Sequence, residues 1–169
     1  MRGIQRDEAF EAAFVALHPR AQRLALRIVG DRAVADEIAA EALARTFADW
    51  KRLRAVDYLD AWVLRVTTNL ALNVAMRRKV EMDPPPPLDP VDGVAVRLGL
   101  VDALRRLPAR QREAVALRYL ADMSEDDVAR SLGVSTGTAK QHLHRGLRAL
   151  RGALGDDDTQ EVPVVHLAH

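Results

Sequence analysis

Apolar side chains along this chain recur at intervals of three and four residues, the repeat of one face of an α-helix. Asp7 to Val29 reads as a first helix, with Phe10, Phe14, Leu17, Leu24 and Ile28 facing inward. His18-Pro19 either kinks it or splits it, because proline lacks a backbone donor and restricts the residue before it. Gly30-Asp31 is a stop and restart. A second helix from about Arg32 to Trp50 turns Val34, Ile38, Leu43 and Phe47 inward, and a third from near Tyr58 to about Arg78 carries Leu59, Trp62, Val63, Val66, Leu70 and Val74. A short helix, Arg97 to Leu107, stops at Leu107-Pro108. The next, Ala109 to Leu120, begins at that proline, where the missing donor costs nothing.

The pattern is most informative from Tyr119 to Leu154. Ser124 is placed to cap a helix whose first turn is acidic, and Val128, Ala129 and Leu132 give that helix an apolar face. Gly133 stops it at a position where a left-handed backbone is cheap. Val134 plugs the turn and Ser135 caps a second helix, in which Ala139, Leu143, Leu147, Leu150 and Leu154 form one stripe. The opposite side offers Thr136, Gly137, Lys140, Gln141, His144, Arg145 and Arg148. Between Ser135 and Arg151 there are four basic residues and no acid. A capped short helix, a glycine turn and a basic second helix fit a helix-turn-helix that lays its second helix in the DNA major groove. The alternative is a helical hairpin with a solvated basic face. DNA is favoured because Thr136, Gly137 and Thr138 are small enough to approach a phosphate backbone, while Lys140, Gln141 and Arg145 are long donors suited to phosphates and base edges.

Between these two helical parts lies a stretch, 80–96, with PPPPLDP at its centre, which cannot continue a helix and favours an extended, semi-stiff segment. The expected architecture is therefore all-α: a helical domain over 1–79, a proline-rich linker over 80–96, a second helical domain containing the helix-turn-helix over 97–155, and an acidic, mobile tail over 156–169. Composition fits, since 49% hydrophobic with only 4% aromatic residues makes an aliphatic, Ala/Leu-rich core.

A net charge of +1 conceals segregation. Residues 1–79 hold 14 basic and 10 acidic groups and residues 97–151 hold 11 and 6, whereas 80–96 and 152–169 hold four acids each and no Lys or Arg. Two basic segments separated and followed by acidic ones point to a polyanionic partner more than the total does. With no cysteine, disulfides and thiolate metal sites are excluded. No window is apolar enough for a membrane span and the N-terminus lacks a signal-peptide run, so no membrane insertion and a cytoplasmic location are expected.

Chemistry narrows the choice further. His142 and His144 are two apart and share no helix face. His18, His166 and His169 lie in unrelated places, and no carboxylate pair is spaced for acid–base work. No catalytic residue, metal or cofactor is expected. Two other clusters stand out. Asp36, Glu37 and Glu41 share the outer side of the second helix, as solvated acids or as a docking surface for a basic partner. On the third helix Arg65, Thr68 or Asn69, Asn73 and Arg77 recur every four residues, and the helix ends in Arg77-Arg78-Lys79. Asn is mildly unfavourable inside a helix, so this stripe is either simply solvated or a nucleic-acid face. The alignment with arginines favours the latter. Trp62 is expected in the core, with base stacking by it or by Tyr58 the lesser alternative.

Taken together, DRAVADEIAAEALARTFADW, YLDAWVLRVTTNLALNVAMRRK and LPARQREAVALRYLADMSEDDVARSLGVSTGTAKQHLHRGLRALR resemble, in order, three segments of the extracytoplasmic-function sigma factors, the two-domain group of bacterial RNA polymerase initiation subunits. The likeness runs from about Glu8 to Leu154. It implies a non-enzymatic protein that binds core polymerase, directs initiation from a promoter's −35 and −10 elements and melts the strands. By position, it implies that Glu37 and Glu41, beside Asp36, meet the clamp helices of the polymerase β′ subunit. It sets Asn69 and Asn73, flanked by Arg65 and Arg77, on the helix facing the non-template strand of the −10 element. Asp57, Tyr58 and Asp60 fall in or beside a loop that receives a flipped base. Thr136, Gly137, Lys140, Gln141, His144 and Arg145 fall on the helix reading the −35 element. An anti-sigma protein is a further candidate partner. Ala40 and His142 depart from the family, which often has Gln and Arg there. The remaining alternative is a helix-turn-helix regulator acting without polymerase.

Overall fold

The computed structural model describes residues 8–81 and 93–154, so the proline-rich centre of the linker and the acidic tail lie outside the described residues. Among the described residues eight helices follow one another: α1 (Glu8–Val29), α2 (Arg32–Ala48), α3 (Trp50–Leu53), α4 (Leu59–Glu81), α5 (Gly93–Arg106), α6 (Ala109–Tyr119), α7 (Glu125–Leu132) and α8 (Thr136–Leu154). The ends of the stretch expected as linker, 80–81 and 93–96, are helical continuations of α4 and α5.

Helices α1, α2 and α4 form one bundle. Pro19 lies inside α1 without dividing it. The turn to α2 uses Gly30 at φ +72°, and Asp31 then caps α2 by accepting from the backbone N–H of Val34 at 3.1 Å. That bond first, and then Arg78 beside it, hold the Asp31 carboxyl below its ordinary value, the small burial working the other way. The Asp31–Arg78 ion pair also ties the start of α2 to the end of α4, at 3.3 Å. Small buried residues, Ala21, Ala25, Ala35, Ala39, Ala42, Ala61 and Ala71, let the three helices approach closely around Leu24, Leu43, Val63 and Leu64.

Two of the expected inward residues are outward. Phe14 and Phe47 are 38% and 49% exposed. Phe10 packs on Phe47 and Trp50 with ring centroids 4.6 and 5.2 Å apart, and Trp50 on the short α3 is buried. Thr67 and Thr68 are buried on α4 and satisfy their hydroxyls on the carbonyls of Val63 and Leu64, each at 2.9 Å.

Helices α5 to α8 make the second unit around Val101, Leu104, Leu107, Leu117, Val128, Leu132, Leu143 and Leu150. The α8 stripe is buried as expected at Ala139, Leu143 and Leu150, but Gly146 is buried in place of half-buried Leu147, and Leu154 is 52% exposed. Gly146 is the point where α8 crosses α6, since a Cβ there would lie 2.6 Å from Val115 Cγ2 and 3.3 Å from the carbonyl of Gln111. The two units also pack on each other. Buried residues of α4, among them Ala61, Leu64 and Leu72, belong to the same apolar cluster as Leu104, Leu117, Val128 and Leu132.

Candidate nucleic-acid interface

Helices α7 and α8 are joined as their sequence dictates. The Ser124 hydroxyl accepts from the N–H of Asp127 at 3.1 Å and donates to its carboxylate at 2.6 Å. Arg130 also bonds that carboxylate. The Ser124 hydroxyl first, then the Arg130 charge, hold the Asp127 carboxyl below its usual range. Gly133, at φ 67°, ends α7 in the left-handed region, and the N–H of Val134 closes the turn on Ala129 O at 3.0 Å. Ser135 then accepts from the N–H of Thr138 at 3.1 Å and opens α8.

The acidic first turn of α7 also holds the first turn of α8. Thr136 donates to Asp126 at 2.9 Å, and Lys140 lies 3.3 Å from Glu125. Beyond them Gln141, His144, Arg145 and Arg148 are all exposed at spacings of three and four, so one open basic stripe runs along α8. Gly137 has only Ser135 Oγ near its open side, at 3.9 Å from where a Cβ would be, which leaves the backbone approachable. His142 is half-buried beside this stripe.

The polar stripe of α4 divides in two. Asn73 and Arg77 are exposed. Arg65 and Asn69 are covered: Arg65 Nη1 donates to the carbonyl of Ser131 at 3.0 Å, and Asn69 Nδ2 donates to Glu113 Oε1 at 3.0 Å. Arg65 Nη2 approaches the same Glu113 oxygen at 3.5 Å, while Arg65 Nε is buried with no partner. At the start of the helix Asp60 accepts from Arg20 at 3.2 Å, Tyr58 packs against the core and Asp57 is exposed.

The three acids of α2 are likewise not equivalent. Asp36 faces α1, where Gln22 donates to it at 2.9 Å and His18 lies 3.5 Å away. Glu41 pairs with Arg45 at 2.8 Å, and Glu37 is exposed with no ion pair among the described residues. A groove floored by Val34, Ile38, Leu70 and Val74 runs between α2 and α4, with Glu37 and Glu41 contributed from one helix and Arg77 and Arg78 from the other. Glu37 and Glu41 of the acidic cluster thus border one surface with Arg77 of the α4 stripe.

Sequence reasoning did not single out Glu113 or Ser131, because neither breaks the local pattern of its helix and their partners are 44 and 66 residues away. Among the described residues no group of three His, Cys, Asp or Glu could hold a metal, and no helix is long and apolar enough to cross a membrane.

Residues 13–80 match the family model for sigma-70 region 2, and residues 97–150 match that for sigma-70 region 4. The chain belongs to the sigma-70 family of RNA polymerase sigma factors. It falls in the extracytoplasmic-function group. The RNA polymerase sigma-E factor of Streptomyces coelicolor is 37% identical over 138 residues, 78% of each chain. The extracytoplasmic-function sigma factor SigL of Mycobacterium tuberculosis is 31% identical over 146 residues, 76% of this chain and 79% of that one. Among solved structures, the sigma factor RpoE of Bartonella quintana, in complex with the anti-sigma factor NepR, shares the fold. Its TM-score is 0.56 at 21% identity, over 88% of this chain and 98% of that one. So does CnrH in complex with the cytosolic domain of CnrY, with a TM-score of 0.60 at 16% identity over 91% and 92%. In family terms α1 to α4 are region 2, and α5 to α8, with the helix-turn-helix, are region 4.

Proposed function

We propose that this sigma factor divides initiation among three of its surfaces. Glu37 and Glu41, supported from behind by Asp36, dock on the clamp helices of core polymerase. Gln141, His144 and Arg145 on α8, with Lys140 and the small Thr136 and Gly137 at its start, read and anchor on the duplex of the −35 element. Arg65, Asn69, Asn73 and Arg77 on α4, with Asp57, Tyr58 and Asp60 at its entrance, hold the non-template strand of the −10 element as it opens. The observation that carries this reading is the open stripe of α8, four long donors at helical spacing on a helix whose other side is core. Asn offers a paired donor and acceptor that suits one base edge, and that edge is fully available only in single-stranded DNA.

The chain supplies recognition and no chemistry: RNA synthesis belongs to the polymerase, in the cytoplasm. An anti-sigma protein is a natural partner, as the structurally similar sigma factor RpoE was solved with the anti-sigma factor NepR. A regulator acting without polymerase is disfavoured, because it leaves the region 2 match over 13–80 without a role. The test is reconstitution. The purified chain mixed with core polymerase is expected to form a stable complex that starts RNA at a defined promoter; operator binding with no such complex would favour the regulator.

A further inference from the structure

Among the hydroxyls at the start of α8, one has its hydrogen committed by geometry. Ser135 and Thr138 share a bond at 2.9 Å in which either oxygen can donate. Thr136 instead meets the Asp126 carboxylate at 2.9 Å, and a carboxylate only accepts, so the hydrogen in that bond is the Thr136 hydroxyl's own. The neighbouring Asp127 does not compete, since Ser124 and Arg130 already bond it. Thr136 is left with an oxygen that can accept and has no hydrogen to give. It is half-buried beside exposed Gly137, in the first turn of α8, the part of a recognition helix that comes nearest the base edges.

An oxygen of that kind discriminates among the groups of a duplex. A phosphate offers only acceptors, and one brought to Thr136 would face a lone pair with the Asp126 charge directly behind it. Guanine and thymine present acceptors in the major groove, whereas adenine and cytosine each present an exocyclic amino group, which donates. Each base pair thus has one amino group, on one strand, and an acceptor-only hydroxyl distinguishes which strand carries it. The chain from amino group to hydroxyl to carboxylate runs in one direction, so each bond polarises the next. One helical turn on, the same acidic turn of α7 holds a second donor, the Lys140 ammonium 3.3 Å from Glu125.

We infer that Asp126 is a positioning residue that makes Thr136 an acceptor only, and that Thr136 thereby selects adenine or cytosine over guanine or thymine on one strand, at one position of the −35 element. The inference rests on the −35 role proposed for α8, and the Gln141 arm of its test reads that role by itself.

The test uses polymerase reconstituted with the full chain and a pool of duplexes randomised across the −35 element. The wild type is expected to show a position at which adenine or cytosine is preferred on one strand. Thr136→Val, which keeps the shape and loses the hydroxyl, should erase that preference, and Thr136→Ser should keep it. Asp126→Ala frees the hydroxyl to donate, so guanine and thymine should gain at that position and nowhere else. On the selected duplex the amino group alone is then deleted, with purine replacing adenine or pyrimidinone replacing cytosine, and the analogue that weakens binding identifies the base. The wild type should lose roughly fivefold in affinity, as for one hydrogen bond, and Thr136→Val nothing further. A merely structural tie between α7 and α8 would instead lower the melting temperature of Thr136→Val and Asp126→Ala with base preference unmoved, and that result overturns the inference. So does a Thr136-dependent preference for guanine or thymine, or an equal analogue loss in wild type and Thr136→Val. If Gln141→Ala relaxes its own position while Thr136→Val relaxes none, this inference alone fails. If neither relaxes any, α8 is not in the groove and the reading beneath it falls.

Discussion

Asn69 on α4 and Glu113 on α6, 44 residues apart, meet side chain to side chain, the amide donating to Glu113 Oε1 at 3.0 Å. Four residues further along α4, Asn73 is exposed. Two residues assigned one role thus start from different states, and that difference is measurable. Replacing Asn73 with Ala is expected to leave core binding and closed-complex formation unchanged and to lower open-complex formation. Asn69→Ala combines the same loss with a weakened hold on Glu113, so its defect should be the smaller of the two. Permanganate reactivity of unpaired thymines, compared on duplex and pre-melted templates, measures both. Wild-type melting by the Asn69→Ala/Asn73→Ala double variant on duplex DNA would return these residues to a purely structural role.

The acids of α2 give a second test. Glu37 has no ion pair among the described residues, and the Glu41–Arg45 pair is exposed and one turn long, a type worth only about 0.3–0.5 kcal/mol. Reversing both to Lys should therefore spare helix content in circular dichroism yet abolish retention by core polymerase in a pull-down. Asp36→Ala is different, because it removes the acceptor for Gln22. It should lower thermal stability more than it lowers polymerase binding.

On α8, Gln141 and Arg145 are both exposed one turn apart. Gln141→Ala is expected to cost about 1–3 kcal/mol on the cognate site and to relax preference at one base, as a lost base contact does. Arg145→Ala should weaken all sequences alike and flatten the dependence of affinity on salt, as a lost phosphate contact does. Footprinting and binding titrations across salt distinguish the two. No change from either would take α8 out of the groove.

Gly146→Ala tests the α6–α8 crossing. The added methyl would meet Val115 Cγ2 at 2.6 Å, with the backbone carbonyl of Gln111 behind it at 3.3 Å. Overpacking of this kind costs about 1–3 kcal/mol, against a gain of up to about 1 kcal/mol in helix propensity. A net fall in melting temperature is expected. Gly152→Ala, with nothing within 4 Å of its Cβ position, should be neutral or stabilising.

The α7 cap makes stability depend on acid. Asp127 is held below the usual carboxylate range by Ser124 first and Arg130 second. A carboxyl whose folded value is depressed contributes stability above its unfolded value, near 3.9 for Asp, and loses it as pH falls through the folded value. Asp127→Asn should therefore be less stable than the wild type at neutral pH, and the two should converge below about pH 4. Parallel melting temperatures across that window check the sign; a gap that persists undiminished in acid would assign the loss to packing instead.

Much of this protein was legible in the chain itself. Local chemistry fixed Ser124, Gly133 and Ser135 as the punctuation of the helix-turn-helix, because capping and left-handed turns involve only near neighbours. It likewise fixed the polar side of α8, since helical spacing puts Gln141, His144, Arg145 and Arg148 on one face whatever lies behind. Tertiary structure decided what covers each face. The choice between Gly146 and Leu147 as the buried residue depended on how closely α6 crosses, and the exposure of Phe14 and Phe47 was not legible in their helical spacing. The stripe Arg65, Asn69, Asn73, Arg77 admitted solvent or nucleic acid on sequence grounds, and half of it meets region 4 instead. Periodicity is a property of one helix, and it names the residues that share a side. A hydrogen bond between residues 44 or 66 positions apart is a property of two helices brought together, and nothing in either repeat encodes it.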